Sequence, residues 1–563
     1  MTTTRRRFLE ISSLAATSLA LSGKRLLSQA ATQVDARIDI LPSEPIGTIA
    51  PEIYSHFIEH LGGVIYDGVW VGEKSKIPNQ NGIRKAFIDT MRAVKAPVLR
   101  WPGGCFAESY DWRDGIGPAA KRPQRSAFWD QEDTNRYGTH EFMETCKAIG
   151  CQPYLAADLR SLPARDFYQW IEYCNAPAGS NALANERATN GDKEPFDVQY
   201  WGVGNESWGC GGNQTPEEYA ELYRKFTTWY PRYGSEAPAG AEPSRRRDLK
   251  LIACGPNGDD VKWTQGIMRS ITAGNLPYGL SVHYYTSGDA KHFAHGDALV
   301  FDDATYYDLL TRGSYMENVI GNHWAALAEV DTQHKVKLVV DEWGAWYGKS
   351  TELPGVPSGP EYNLSQQSTM RDAVLTGITL DIFQRHADKM AMANVAQSIN
   401  CIHSLMLARE DKFTVTPTFH VFQMYLPHRG AQALRVEFAS PSITNTLATL
   451  SPVGGNSDVG STAPITRLAG LSGSASIQGK TVTLTVVNPH LDKPMTTELA
   501  LHGMSIASAT GTVLVGNNVH DHNDFEHPNA VRPVTATTNT PTAGRLIHTF
   551  PSASVTALQL TVA

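Results

Sequence analysis

Val336-Lys337-Leu338-Val339-Val340-Asp341-Glu342-Trp343-Gly344 is a short apolar, β-branched run that closes on two acids, a tryptophan and a glycine. A run this short and this apolar reads as a strand buried on both faces, and a carboxylate ending such a strand is costly unless it is paired or used. Six earlier runs share its character: Ile53-Tyr-Ser-His-Phe-Ile, Pro97-Val-Leu-Arg-Trp, Gln152-Pro-Tyr-Leu-Ala-Ala, Val198-Gln-Tyr-Trp-Gly-Val, Leu249-Lys-Leu-Ile-Ala-Cys and Leu280-Ser-Val-His-Tyr-Tyr. Helix-like segments lie between them, among them 82–95, 139–149, 216–229 and 366–385. Such alternation implies parallel strands joined by crossover helices. Neither GxGxxG nor GxxxxGK[ST] follows the first strand, which disfavours an open nucleotide-binding sheet, so a (β/α)8 TIM barrel is expected over residues 50–428.

Past about Gly430 the runs shorten and alternate between Gly, Pro, Asn and Ser: Thr444-Asn-Thr-Leu-Ala-Thr-Leu, Ala475-Ser-Ile-Gln, Thr481-Val-Thr-Leu-Thr-Val-Val, Thr497-Glu-Leu-Ala-Leu and Val555-Thr-Ala-Leu-Gln-Leu. They predict a C-terminal all-β sandwich, jelly-roll-like, over residues 429–563. Residues 31–49 hold an alternating run that is expected to add a strand to it.

Composition narrows the partners. Of 563 residues, 41% are hydrophobic and 19% charged, which suits one or more large cores and not a disordered chain. Lys plus Arg is 49 against 57 for Asp plus Glu, a net charge of −8, and no basic stretch is long enough to follow a phosphate backbone. Nucleic acid is therefore disfavoured as a partner. Residues 1–30 read as a twin-arginine signal: Thr4-Arg-Arg-Arg-Phe-Leu-Glu, an apolar run from Ile11 to Gly23, then Ser28-Gln-Ala as a cleavage site. That run is about 13 residues against the roughly 20 a bilayer-crossing helix needs, so the expectation is export to the periplasm or beyond without membrane insertion. Seven cysteines without CxxC or zinc-finger spacing give no disulfide framework.

A barrel carries its chemistry at the C-terminal ends of its strands. Two carboxylates stand there: Glu206, in Trp201-Gly-Val-Gly-Asn-Glu-Ser-Trp-Gly-Cys-Gly-Gly, and Glu342 in the opening run. Either alone could serve a structural ion pair. Two facing one mouth, with aromatics beside them, form the minimal machinery for glycoside cleavage.

These residues, together with Ile53-Tyr-Ser-His-Phe-Ile-Glu-His-Leu-Gly, Leu99-Arg-Trp-Pro-Gly-Gly-Cys-Phe-Ala, Tyr110-Asp-Trp-Arg-Asp-Gly-Ile-Gly-Pro and Ala393-Asn-Val-Ala-Gln-Ser-Ile-Asn, carry a resemblance. The chain resembles the α-L-arabinofuranosidases of glycoside hydrolase family 51, in a clan of retaining (β/α)8-barrel glycosidases, with its motifs in the family's order from about residue 50 to 425. The resemblance implies that Glu206 is the general acid/base and Glu342 the nucleophile, with Arg100 and Tyr285 holding the nucleophile in place. It implies a sugar pocket made by Glu59, Cys105, Asn205, His283, Trp346 and Gln397. A packed histidine is nearly as good a reading of His283 as a substrate contact.

Cys105 stands where one common form of the family has Asn. It is expected as a packed thiol beside the sugar; a bridge to Cys210 is the alternative, and it requires Cα atoms within about 7 Å. No cofactor and no metal are expected, and the stretch holding His520, His522 and His527 reads as a solvated loop. The outer loops 178–195, 287–303 and 350–364 are expected to set linkage preference. The implied activity is the exo-acting release of terminal α-L-arabinofuranosyl residues from arabinose-containing oligo- or polysaccharides, hemicellulose or pectin, by a family whose members commonly assemble as homo-oligomers. Two rivals remain at this level: an endo-acting β-glucanase or xylanase with the same machinery, and a non-catalytic carbohydrate-binding protein.

Overall fold

The computed structural model describes residues 34–233, 249–271, 276–287, 296–348, 364–444 and 467–563. The proposed signal at 1–30, most of the strand expected from Thr444 and much of the loops 287–303 and 350–364 lie outside the described residues.

After a first strand, β1 (Ala36–Thr48), eight strands form the expected closed barrel. They are β2 (Ser55–Phe57), β3 (Val98–Trp101), β4 (Gln152–Ala157), β5 (Tyr200–Val203), β6 (Lys250–Ala253), β7 (Gly279–Thr286), β8 (Lys337–Ala345) and β9 (Met390–Val395). Each pairs in parallel with its sequence neighbours, and β9 returns to β2. Val98, Tyr154, Tyr200, Ile252, Val339 and Met392 pack together and fill the floor of the barrel. Because side chains alternate along a strand, Arg100 and Asp341, two residues on from Val98 and Val339, form a buried polar layer above that floor. The pairing of β8 with β9 is irregular between Val340 and Trp343, which lets the successive acids Asp341 and Glu342 both reach inside.

Local signals set the helix ends. Helix Pro216–Thr227 starts at a capping box between Thr215 and Glu218 and buries Tyr219, Ala220, Tyr223 and Phe226 on one stripe. A second helix, predicted to begin at Gln366, begins at Met370 because Thr369 and Asp372 form a capping box there. That helix, Met370–Arg385, is buried nearly throughout, since the barrel covers one side and the β-rich region the other.

The β-rich region is a single nine-stranded sheet that curls over its own core. Its longer strands are β10 (Gln432–Ala439), β11 (Ser472–Gln478), β12 (Thr481–Asn488), β13 (Met495–Leu501), β14 (Ile506–Leu514), β15 (Leu546–Phe550) and β16 (Ser554–Val562). Starting from a short edge strand, Val534–Thr535, the order is β14-β16-β12-β11-β10-β1-β13-β15. Ile38 and Ile40 of β1 share that core with Leu434, Leu484, Val486, Leu546, Phe550 and Leu558. At the seam with the barrel, Asp381 accepts from Ser474 and Thr485 hydroxyls at 2.7 and 2.5 Å and from Tyr425 at 3.0 Å, while burial pushes its pKa up to about 7.

The stretch 519–523 departs from the solvated loop expected of it. Met370 and Arg371 donate their backbone N–H groups to Asp521 and Val519, and His520 stacks on Phe301 with centroids 4.0 Å apart. An acidic, histidine-rich composition hides this docking, because several of the bonds are made by the backbone and the others reach residues far along the chain.

Candidate active site

Glu206 follows β5 in a turn that its own sequence forces. Gly204 has φ +85°, and Glu206 itself sits in the left-handed region at φ +42°, a conformation that costs a non-glycine residue strain. Backbone N–H groups of Gly209 and Gly211 close the turn on the Glu206 carbonyl at 2.7 and 3.0 Å. The carboxyl group is thereby aimed over the barrel mouth.

Glu342 is held from three sides. Arg100 Nη1 donates to its Oε1 at 2.7 Å, Tyr285 donates to its Oε2 at 2.7 Å, and His283 Nδ1 lies 3.5 Å from the same Oε2. The same His283 nitrogen is hydrogen-bonded to Glu206 Oε1 at 3.0 Å. One ring thus links the two acids, whose facing oxygens lie within 4.8 Å of each other. Burial works to raise the Glu342 pKa, but the His283 and Arg100 charges and the Tyr285 hydroxyl overcome it and hold the carboxyl below its usual range. For His283 burial works against protonation, and the two carboxylates more than offset it, so its pKa is raised. The side chains differ in access: Glu206 is 18% exposed and Glu342 7%.

The remaining predicted residues surround this pair. Asn205 accepts from Arg100 Nη2 at 2.7 Å through its side-chain oxygen. Glu59 accepts from the Phe106 N–H and Trp129 Nε1, both at 3.0 Å, and from Gln397 Nε2 at 3.2 Å. Burial, with the Glu342 charge behind it, pushes Glu59 up to about 7. Trp346 stands edge-on to Tyr285 with centroids 4.9 Å apart, and Gln397 lies just past the end of β9. Gly103 and Gly104 let the chain after β3 pass close under the site: a Cβ on Gly104 would sit 2.7 Å from Glu342 Oε1.

Cys105 is not a packed thiol. It is bridged to Cys210 with Cα atoms 5.6 Å apart, and the two sulfurs lie 3.6 and 3.5 Å from Glu206 Oε2. Both thiols open from glycine-rich turns onto the same mouth, and the two turns bring them within bridging reach. Sequence reasoning gave no role to Asp341, Trp129 or Glu108. Asp341 accepts from Tyr154 at 2.7 Å and from Asn394 at 2.6 Å, and so underpins the layer that carries Glu342; its place beside Glu342 in the motif was the available signal. The facing atoms of Glu206, His283 and Glu342 are close enough to share a divalent cation, but Arg100 already supplies a fixed positive charge to Glu342.

Comparison with known proteins places the chain in one family. Residues 90–290 match the family "Alpha-L-arabinofuranosidase 1 domain" and residues 341–554 match "Alpha-L-arabinofuranosidase C-terminal domain". A GH51 arabinofuranosidase from Xanthomonas axonopodis pv. citri superposes with a TM-score of 0.83 at 34% identity, covering 93% of this chain and all of that one. The α-L-arabinofuranosidase of Thermotoga maritima, solved as an arabinose complex, gives 0.77 at 29% identity with the same coverage. A protein of Bacteroides ovatus named an intracellular exo-α-L-arabinofuranosidase is 34% identical over 534 residues, 94% of this chain and 96% of its own length.

That last name overturns the expectation of export. Three arginines and a weakly apolar run form a short local pattern that carries little information beside a match over most of the chain. Among the described residues no helix is long and apolar enough to cross a membrane. With two family domains matched in order, a relative aligned almost end to end and the paired carboxylates at the strand ends, the chain belongs to the α-L-arabinofuranosidases of glycoside hydrolase family 51.

Proposed function

We propose that the protein removes terminal α-L-arabinofuranosyl residues from arabinose-containing oligo- or polysaccharides by a double displacement, with Glu342 as nucleophile and Glu206 as general acid/base. The observation that carries this reading is the pairing of two unlike carboxyl groups within 4.8 Å, one buried and ion-paired, the other more open. Retaining glycosidases hold their carboxyl groups about 5–5.5 Å apart, whereas inverting ones leave about 6.5–9.5 Å for a water.

In the first step a Glu342 oxygen bonds to the anomeric carbon, the bond from that carbon to the leaving oxygen breaks, and Glu206 gives that oxygen its proton. In the second, Glu206 takes a proton from water, the water oxygen bonds to the anomeric carbon, and Glu342 is released. Arg100 and Tyr285 keep Glu342 ionised and oriented. The names of the relatives, an exo-α-L-arabinofuranosidase and an arabinose complex, support the choice of sugar and end-on attack.

A panel of 4-nitrophenyl glycosides and β-glucan, run on the wild type and on Glu206→Gln, tests it. Release from the α-L-arabinofuranoside that falls in the variant supports the reading. Silence there, with cleavage of the glucan, would replace it with an endo-glucanase.

A further inference from the structure

Glu108 lies in the turn Ala107–Ser109 after β3 and is wholly buried. Its carboxyl group faces three backbone N–H donors. Oε1 accepts from Asn205 at 2.5 Å, and Oε2 accepts from Leu159 at 2.9 Å and from Arg160 at 2.8 Å. One carboxyl group therefore ties the segments that follow β3, β4 and β5, three neighbouring strands of the barrel. Gly204 leaves the room for this: a Cβ there would sit 3.4 Å from Glu108 Oε1.

Asn205 directly precedes Glu206. With its N–H on Glu108 and its side-chain oxygen on Arg100, it is fixed at both ends. Beyond Glu206 the grip continues through Arg160, an exposed side chain that donates to the Glu108 carbonyl and to the Cys210 carbonyl, both at 3.1 Å, and also to the Ser109 hydroxyl. The left-handed backbone at Glu206 is thus bracketed on both sides.

We infer that Glu108, braced by Arg160, is a positioning residue for the general acid: its carboxyl group fixes the Asn205–Glu206 backbone and so sets where Glu206 presents its proton to the leaving oxygen. This rests on the assignment of Glu206 as acid/base. Glutamine at 108 keeps the volume, but its NH2 faces a backbone N–H in either orientation, so it loses the tie to Asn205 in one and the ties to Leu159 and Arg160 in the other.

The test compares Glu108→Gln, Arg160→Met and Glu206→Gln on 4-nitrophenyl α-L-arabinofuranoside, whose leaving group needs little protonation, and on an α-1,5-arabinobiose, whose leaving group needs it fully. Glu206→Gln is expected to lose kcat/KM on arabinobiose about 10²-fold more than on the nitrophenyl substrate. Glu108→Gln is expected to show the same asymmetry at about 10-fold, in kcat rather than KM, with Arg160→Met following it in the same direction. Arg160 is exposed, so its variant reports even where Glu108→Gln does not fold. Equal losses on both substrates, or none, alongside a clear asymmetry in Glu206→Gln, would overturn the role of Glu108. A Glu206→Gln enzyme without asymmetry would instead overturn the acid/base assignment and this inference with it.

Discussion

Arg100 and Glu342 meet inside the barrel, the guanidinium donating to the carboxylate at 2.7 Å with 1% and 7% of their side chains exposed. The other terminal nitrogen of Arg100 holds Asn205. Removing the arginine leaves a buried charge without its partner, which in other proteins costs about 3–5 kcal/mol. Arg100→Met is expected to lower stability by that order and kcat/KM by about 10²-fold or more, as urea unfolding and arabinofuranoside kinetics will read.

Glu342→Ala removes the attacking oxygen and leaves a space beside the anomeric carbon. Turnover is expected to fall below about a thousandth of wild type, while arabinose-containing ligand still binds in calorimetry. Azide fills the space and attacks in place of the carboxylate, so partial recovery with an arabinosyl azide as product is expected. Wild-type activity in this variant would refute the nucleophile assignment.

Gly104→Ala tests the close approach under the site. Its Cβ would come 2.7 Å from Glu342 Oε1, closer than a methyl group allows, while its 3.4 Å approach to the Asn205 amide is ordinary contact. The nucleophile must move, and a shift of this size costs about 10²-fold in kcat with the fold kept. Kinetics against a thermal melt separate the two effects.

The pH dependence of stability should carry the signature of Glu59. Its pKa is raised on folding from 4.5 to about 7, first by burial and then by the Glu342 charge. A raised carboxyl pKa contributes stability that is fully present below the unfolded value and is lost as pH climbs through the folded one. Between pH 4.5 and 7 wild type should therefore lose stability relative to Glu59→Gln, by a few kcal/mol on the order set by the shift. Thermal midpoints of both proteins from pH 4 to 8 will show whether the gap moves this way.

Thiol titration of the unreduced, denatured protein should find five of the seven cysteines, and all seven after dithiothreitol. Cys105 and Cys210 are 105 residues apart, and closing a loop of that length is worth about 4–5 kcal/mol by the chain-entropy estimate. Cys210→Ser is expected to lower unfolding stability by about 2–5 kcal/mol in denaturant titration.

The barrel was legible because a strand buried on both faces leaves a plain trace: β4 at 152–157 and the helix at 139–149 fall where the apolar runs place them. Glu206 and Glu342 stood out because a carboxylate at the end of a buried strand is costly unless it is paired or used, and the structure pairs Glu342 with Arg100 and Glu206 with His283. What the sequence hid depends on contacts between distant loops. Trp129 reaches Glu59 across 70 residues, and Glu108 acts on amides 51 to 97 residues away, with a partner set made of backbone that no side-chain motif encodes. The bridge was hidden likewise, since cysteine spacing does not specify the distance between two turns.

The strand Ala36–Thr48 lies in the middle of the nine-stranded sheet, antiparallel to Gln432–Ala439 on one side and parallel to Met495–Leu501 on the other. During synthesis it is made before the whole barrel, yet both of its hydrogen-bonding partners come almost four hundred residues later or more. Until then it is an unpaired strand with apolar residues and two open edges, a template for pairing with another chain. A ribosome-released fragment that stops at the end of the barrel would carry that strand exposed, because the strands that flank it are made only in the last third of the chain.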